Sequence, residues 1–294
     1  MSKKLSEVFL LKQLVMLVLS FLLLVGCQTN ETLSDENNLT NDRKELVGDS
    51  KKIEGDETEE SELEVQEEIE LDNEVEATIE DEVFVERYEI DPVSWRIKSL
   101  DDSDDQVILL TIDDAPDQYS VVIAEKLKEL GAGAIFFVNG HFLKSEEEQN
   151  KLKVIHELGF EIGNHTMNHP NMSDLSEENQ KREIIELNDL IEEIIGERPK
   201  FYRAPFGVNT DESRAIVGQE GMIFMNWTYG YDWEQEYQDA EALAKIMVES
   251  PLLSNGANLL MHDRKWTAEA IENIVIGLRE RGYEPIDPRE IKIN

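Results

Sequence analysis

The chain has 294 residues and a formal net charge of −37. That balance leaves no basic stripe of the kind that follows a phosphate backbone, which excludes nucleic acid as a partner. A single cysteine, Cys27, excludes any disulfide within the chain.

Lys3 and Lys4 open the chain, and the 16 residues from Leu10 to Val25 are almost wholly apolar. That run is shorter than the roughly 20 residues a membrane-spanning helix needs. It fits the layout of a secretory signal peptide over residues 1–26. Leu24-Val25-Gly26-Cys27 resembles a bacterial lipobox, whose cysteine receives lipid. The resemblance makes Cys27 the expected lipidation site and the membrane a partner through that lipid. It places the protein on the extracytoplasmic face of a bacterial cell membrane, facing the wall. Residues 27–95 then read as an acidic, disordered tether. From Gln28 to Ile90 there are 24 acidic residues against 5 basic ones, and no aromatic stands between Cys27 and Phe84. So little apolar surface does not offset the entropy lost on folding. A flexible chain of about 60 residues spans roughly 40–45 Å, and like charges lengthen it.

Residues 96–294 read as one domain. Val107–Ile112 has the pattern of a buried strand, and Ser120–Leu130 that of a helix stopped by Gly131. Ala134–Val138 and Phe160–Gly163 are further strands, separated by a helix over Glu146–Leu158. Glu177–Ile195 is a long helix ended by Gly196, with Ile184, Leu187, Ile191, Ile194 and Ile195 on its apolar side. Strands are expected at Phe201–Ala204, Phe224–Trp227, Asn258–Met261 and Glu284–Ile286, and helices near Ala240–Val248 and Thr267–Arg281. Alternation of this kind over about 185 residues predicts an α/β fold of parallel strands ringed or flanked by helices. Periodicity leaves barrel and open sheet both open.

Polar groups gather where these strands end, which is where β/α proteins place their sites. Asp113 and Asp114 close the first strand; two adjacent carboxylates there call for a cation or an arginine. His165 and His169 lie on a loop framed by Gly163 and Pro170. Arg203 stands where a strand meets Pro205 and Gly207, and His262 emerges from an apolar strand. Each has an ordinary reading alone: surface histidines, a surface ion pair, a satisfied core histidine. Together, two imidazoles and a carboxylate make a three-ligand set with room for water, the pattern of a catalytic metal. Zinc fits that set best, and Co, Ni or Fe accept the same donors. His141 and His156 read as surface or structural.

At this point the chain resembles the polysaccharide deacetylase family, carbohydrate esterase family 4. The family's motifs T-F-D-D, H-S/T-x-x-H-P, R-x-P-F/Y-G and Leu-x-x-His-Asp match Thr111–Asp114, His165–Pro170, Arg203–Gly207 and Leu259–Asp263, in order. D-x-x-D-W matches Tyr229–Trp233 in part. The resemblance implies a distorted (β/α)7 barrel and a hydrolase that removes acetyl groups from a glycan. It implies that Asp114, His165 and His169 hold a divalent metal and that Asp113 is the general base, oriented by Arg203. It implies that His262 protonates the leaving amine, that the backbone N–H of Phe206 helps to hold the oxyanion, and that Trp233 and Leu260 wall a pocket for the acetyl methyl. Thr166 is expected to pin the metal loop rather than to ligate.

Two departures stand out. Ala115 replaces the family's usual glycine, which matters if that position needs a positive φ. The fourth motif lacks its first aspartate, which leaves Asp232 to steady Arg203 or His262. Trp227 has two readings, facing the site or the core, and the core is favoured. The favoured activity is N-deacetylation of peptidoglycan N-acetylglucosamine, with chitin or poly-N-acetylglucosamine next. An O-acetyl glycan esterase and a glycan-binding lipoprotein without turnover are the alternatives.

Overall fold

Two short antiparallel strands, β1 (Tyr88–Ile90) and β2 (Ile97–Ser99), come first among the residues that the computed structural model describes, 84–101 and 106–293. All belong to one unit, Thr78–Asn294. The leader, Cys27 and most of the acidic stretch lie outside the described residues. β1 corrects the expected tether at its C-terminal end, since ordered structure begins upstream of residue 96. Tyr88 and Ile97 are buried against Val107, Leu109, Phe201 and Ile223. A few apolar residues among charges suffice here because a preformed apolar surface receives them.

β3 (Val107–Ala115) follows, three residues longer than its apolar run because the two aspartates continue it. After it come α1 (Ser120–Glu129), β4 (Ile135–Val138), α2 (Glu146–Glu157), β5 (Glu161–Asn164) and α3 (Glu177–Ile195). Ser145 and Glu148 form a capping box at the start of α2, and Ser176 caps α3, which ends at Gly196 with φ 80°. Next are β6 (Phe201–Tyr202), α4 (Asp211–Gln219), β7 (Ile223–Phe224), β8 (Tyr229–Gly230), α5 (Ala240–Glu249), β9 (Ala257–His262), α6 (Lys265–Glu280) and β10 (Glu284–Pro285). Helix α4 was not foreseen. Its inward side consists of Ser213, Ile216 and Val217, too few apolar positions to show a period.

The strands run in the order β7-β6-β5-β4-β3-β9-β8, every pair parallel, with β10 beside the start of β3. β7 and β8 are opposite edges yet consecutive in the chain. The link from Phe224 to Tyr229 reaches at most about 18 Å. Seven strands laid flat would hold their edges roughly 29 Å apart. The sheet must therefore curl, and it is a barrel left unclosed between β7 and β8.

Alternation along the strands sorts the interior. Val107, Leu109, Ile135, Phe137, Phe201, Ile223 and Met225 share one cluster inside the curl. Ile108, Leu110, Ile112, Phe136, Leu259 and Met261 pack outward against the helices. Burying each such side chain stabilises the fold by about 1.5–3 kcal/mol. Further along the inward rows the residues turn polar: Thr111 and Asp113 on β3, Arg203 after β6, Asn258 and His262 on β9. Ala115 is fully buried in the outer core and is not among the positive-φ residues. The backbone turns at Asp114 instead, with φ 62°, so the methyl disturbs nothing.

Candidate active site

The inward polar residues open into a cleft of about 510 Å³ at the C-terminal ends of the strands. Asp113, Asp114, His165, His169, Phe206, Trp227, Asp232, Trp233, Leu260, His262 and Arg264 line it. Four of the five non-glycine residues with positive φ among the described residues are Asp114, Thr166, His169 and Phe206. Left-handed backbone costs such residues on the order of 1–3 kcal/mol each. That strain is concentrated where the side chains meet.

Arg203 is fully buried. Its Nη1 donates to Asp113 Oδ1 at 2.7 Å and to Thr111 Oγ1 at 2.8 Å, and its Nη2 donates to the carbonyl of Asn226 at 2.9 Å. Burial pulls its pKa down, and the Asp113 carboxylate opposes that pull. One oxygen of Asp113 is thus fixed by Arg203. The other, Oδ2, lies 3.6 Å from His165 Nε2, which is beyond hydrogen-bond length.

Asp114, His165 and His169 each present one donor atom, and the three atoms lie within 4.8 Å of one another. Asp114 Oδ1 is 3.4 Å from His169 Nε2 and 3.9 Å from His165 Nε2. At those lengths the groups surround a common point rather than bond to each other. His165 Nδ1 is 2.7 Å from the carbonyl of Arg203. That acceptor keeps the proton on Nδ1 and leaves the Nε2 lone pair to the cluster, as metal-ligating histidines require. Burial, helped by neighbouring His165, lowers the pKa of His169, so its ring is neutral at pH 7. Burial alone would raise the pKa of Asp114, but His165, His262, His169 and Arg264 outweigh it and hold the carboxyl below its ordinary value. A carboxylate oxygen and two imidazole Nε2 atoms facing one point fit a divalent cation.

The loop that carries the histidines is held from three sides. Thr166 Oγ1 accepts from the backbone N–H of His169 at 3.1 Å, the pinning role expected of it. Asn139 Nδ2 donates to the carbonyl of His165. Glu183 on α3 accepts from the backbone N–H and the side chain of Asn168, at 2.7 and 2.8 Å. Sequence reasoning gave neither residue a role: Asn139 was legible only near the end of the segment Ala134–Gly140, which resembles the family's second strand, and nothing local marks Glu183.

His262 ends β9. Its Nδ1 lies 2.7 Å from Asp232 Oδ1, and its backbone N–H donates to Asp232 Oδ2. Asp232 is fully buried and also accepts from Thr267 Oγ1 at 2.9 Å. Of its two expected partners, Arg203 or His262, the fold gives it His262. Burial alone would lower the pKa of His262, yet the Asp232 carboxylate, with Asp113 and Asp114 behind it, raises it. Trp233 packs edge-on against His262 with ring centroids 5.5 Å apart, and Leu260 forms the wall beside it. Gly230 permits this packing: a Cβ there would come within 2.3 Å of the Leu260 carbonyl and 2.8 Å of the Trp233 ring. Phe206 stands exposed at the rim, 4.9 Å from the His169 ring. Trp227 corrects its expectation. β7 ends at Phe224, before the expected strand does, and Trp227 lines the cleft edge-on to Trp233. His141 and His156 lie outside the cleft lining, with His156 Nε2 3.5 Å from Glu197. Asp263 accepts from the backbone N–H groups of Gln118, Tyr119 and Ser120, and so latches the end of β9 to the start of α1.

The curled parallel barrel carries its acidic, imidazole and arginine groups together at the C-terminal ends of the strands, where β/α proteins place their sites. Residues 101–225 match the family model for polysaccharide deacetylase. The chain is 31% identical over 189 residues to a peptidoglycan-N-acetylglucosamine deacetylase of Bacillus cereus, covering 61% of this chain and 68% of that protein. Among solved structures it resembles a T48 deacetylase with substrate, with TM-score 0.57, 26% identity, and coverage of 63% of this chain and 90% of the other. It also resembles a carbohydrate esterase family 4 pseudoenzyme from Bacillus anthracis, with TM-score 0.56, 29% identity, and coverage of 62% and 63%. The chain belongs to the polysaccharide deacetylase family. It spans between 40% and 64% of the length of several curated relatives.

Proposed function

We propose that this protein is a metal-dependent N-deacetylase of an aminosugar polysaccharide, with peptidoglycan N-acetylglucosamine as its favoured substrate and chitin or poly-N-acetylglucosamine next. The observation that carries the reading is the content of one cleft. A carboxylate tied to a buried arginine, an imidazole tied to a buried carboxylate and a three-donor cluster all face the same space.

In this reading Asp114, His165 and His169 hold a divalent cation, zinc being best suited to their donors. When bound, the cation polarises the acetyl carbonyl and lowers the pKa of a nearby water. Asp113 Oδ2, the oxygen that Arg203 leaves free, takes the proton of the water that attacks the acetyl carbon. Arg203, held by four acceptors, keeps that carboxylate in place while charge moves. The backbone N–H of Phe206 donates to the oxygen that gains charge. His262 then gives a proton to the nitrogen as the carbon–nitrogen bond breaks, releasing acetate and a free amine. Trp233 and Leu260 bound the space that the acetyl methyl fills.

The substrate choice is supported by what the Bacillus cereus relative is named for. Lipid attachment at Cys27 and a site of action outside the cell membrane, towards the wall, belong to the same proposal. The Bacillus anthracis pseudoenzyme raises a second reading, a family member without turnover. The paired base and acid speak against it, since a binder has no use for both. The deciding experiment is acetate release from a panel of acetylated glycans, with and without chelator, scored also for new free amine. Chelator-sensitive release with free amine is expected. Free hydroxyl in place of amine would make the protein an O-acetyl esterase, and no release from any glycan would leave the non-catalytic reading.

A further inference from the structure

Arg264 lines the cleft and has no part in the mechanism above. It stands at the start of α6, where its Nη1 donates to the carbonyl of Asp263 at 3.0 Å and its Nη2 donates to Asp114 Oδ2 at 2.9 Å. The Asp114 carboxylate is therefore divided. Oδ2 faces Arg264, and Oδ1 faces the two imidazole nitrogens at 3.4 and 3.9 Å.

We propose that Arg264 is a positioning residue that restricts Asp114 to one ligating oxygen and keeps the metal affinity of the site below what its donors would otherwise reach. This rests on the metal-centre reading above. Three effects set the sign. A guanidinium bonded to a ligand carboxylate repels a divalent cation; even with its side chain 38% exposed and screened by water, that is worth on the order of tenfold in affinity. Without Arg264, Asp114 is free to offer its second oxygen, which also favours tighter binding. Against these stands the loss of a pre-ordered carboxylate, a small effect for so short a side chain. The first two win. Were a cation held there through one oxygen of Asp114 rather than two, one more position would be left for water or the acetyl oxygen. Sequence reasoning had no reason to single out Arg264, which directly follows the last matched motif.

The test is zinc affinity of the full chain by chelator competition, without substrate, for the wild type, Arg264→Met and Arg264→Lys. Arg264→Met should bind zinc on the order of tenfold more tightly, while Arg264→Lys, which keeps the charge, stays close to wild type. Turnover of the zinc-loaded Arg264→Met protein should fall while its affinity rises. A residue that merely supported the fold would lower both. Should Arg264→Met not fold by circular dichroism, Arg264→Gln serves in its place with the same expectation. Equal or weaker zinc binding by the neutral variant overturns the proposal and leaves the metal centre standing. A wild type that binds no divalent cation overturns both.

Discussion

Asp113 and Asp114 are neighbours in the chain that keep different company. Asp113 is bound to a buried arginine, whereas Asp114 turns at positive φ towards two imidazoles. Asp114→Asn should weaken metal binding, because a neutral amide is a poorer ligand. Asp113→Asn should keep the metal and lose about 10²–10⁴ in turnover. Metal content measured beside rate checks both, and the reverse pattern would swap the two roles. Replacing Arg203 by Ala strands Asp113 as an unpaired buried charge, so unfolding free energy should drop by about 3–5 kcal/mol in denaturant titration. The pH profile tests His262. As the acid it must carry a proton, and its pKa is raised, so activity should hold near neutrality and fall as pH rises through that raised value. Asp232→Asn removes the main group that raises it, and the alkaline limb of kcat/KM should move to lower pH. A limb that stays in place would belong to another group.

At the scale of elements, β1 and β2 close the apolar end of the barrel. Gly256 fixes their position: its carbonyl accepts from Ile97 at 2.8 Å, and a Cβ on it would come within 2.1 Å of the Ile97 carbonyl. Tyr88→Ala or Ile97→Ala should cost about 2–4 kcal/mol of stability with kcat nearly unchanged, since neither reaches the cleft. A large fall in kcat at full folding would show that the cap also shapes the site. The elements legible in sequence were those with a long apolar run or a strong helical period, such as β3, β4 and α3. β1, β2 and β8 are two or three residues each and exist only because neighbours complete them. Trp227 was misplaced for the same reason, as a two-residue strand leaves no pattern to show where it stops. In the site, residues carrying their own chemistry were readable at their motifs. Those that act through a partner, Asn139, Glu183 and Arg264, were not, because a hydrogen bond across 15 or 150 residues leaves no local mark.

For the whole molecule, Cys27→Ala should release the protein from the membrane fraction, and retention after a high-salt wash would refute lipid anchoring. Deleting residues 31–80 should leave activity on small soluble oligomers intact, because the described domain contains every residue of the cleft. Loss of most of that activity would assign the segment to the domain. The barrel's topology also sets a timetable. β3 pairs with β9, and the contact between Asp114 and Arg264 spans 150 residues. Pairings so distant in sequence form slowly. A chain still emerging holds Asp114, His165 and His169 long before it holds β9 with His262, and until then one side of β3 is an unpaired edge open to aggregation. On the function proposed above, a nascent or truncated molecule would capture a cation before it could release an amine, and metal uptake alone would be no sign that synthesis had finished.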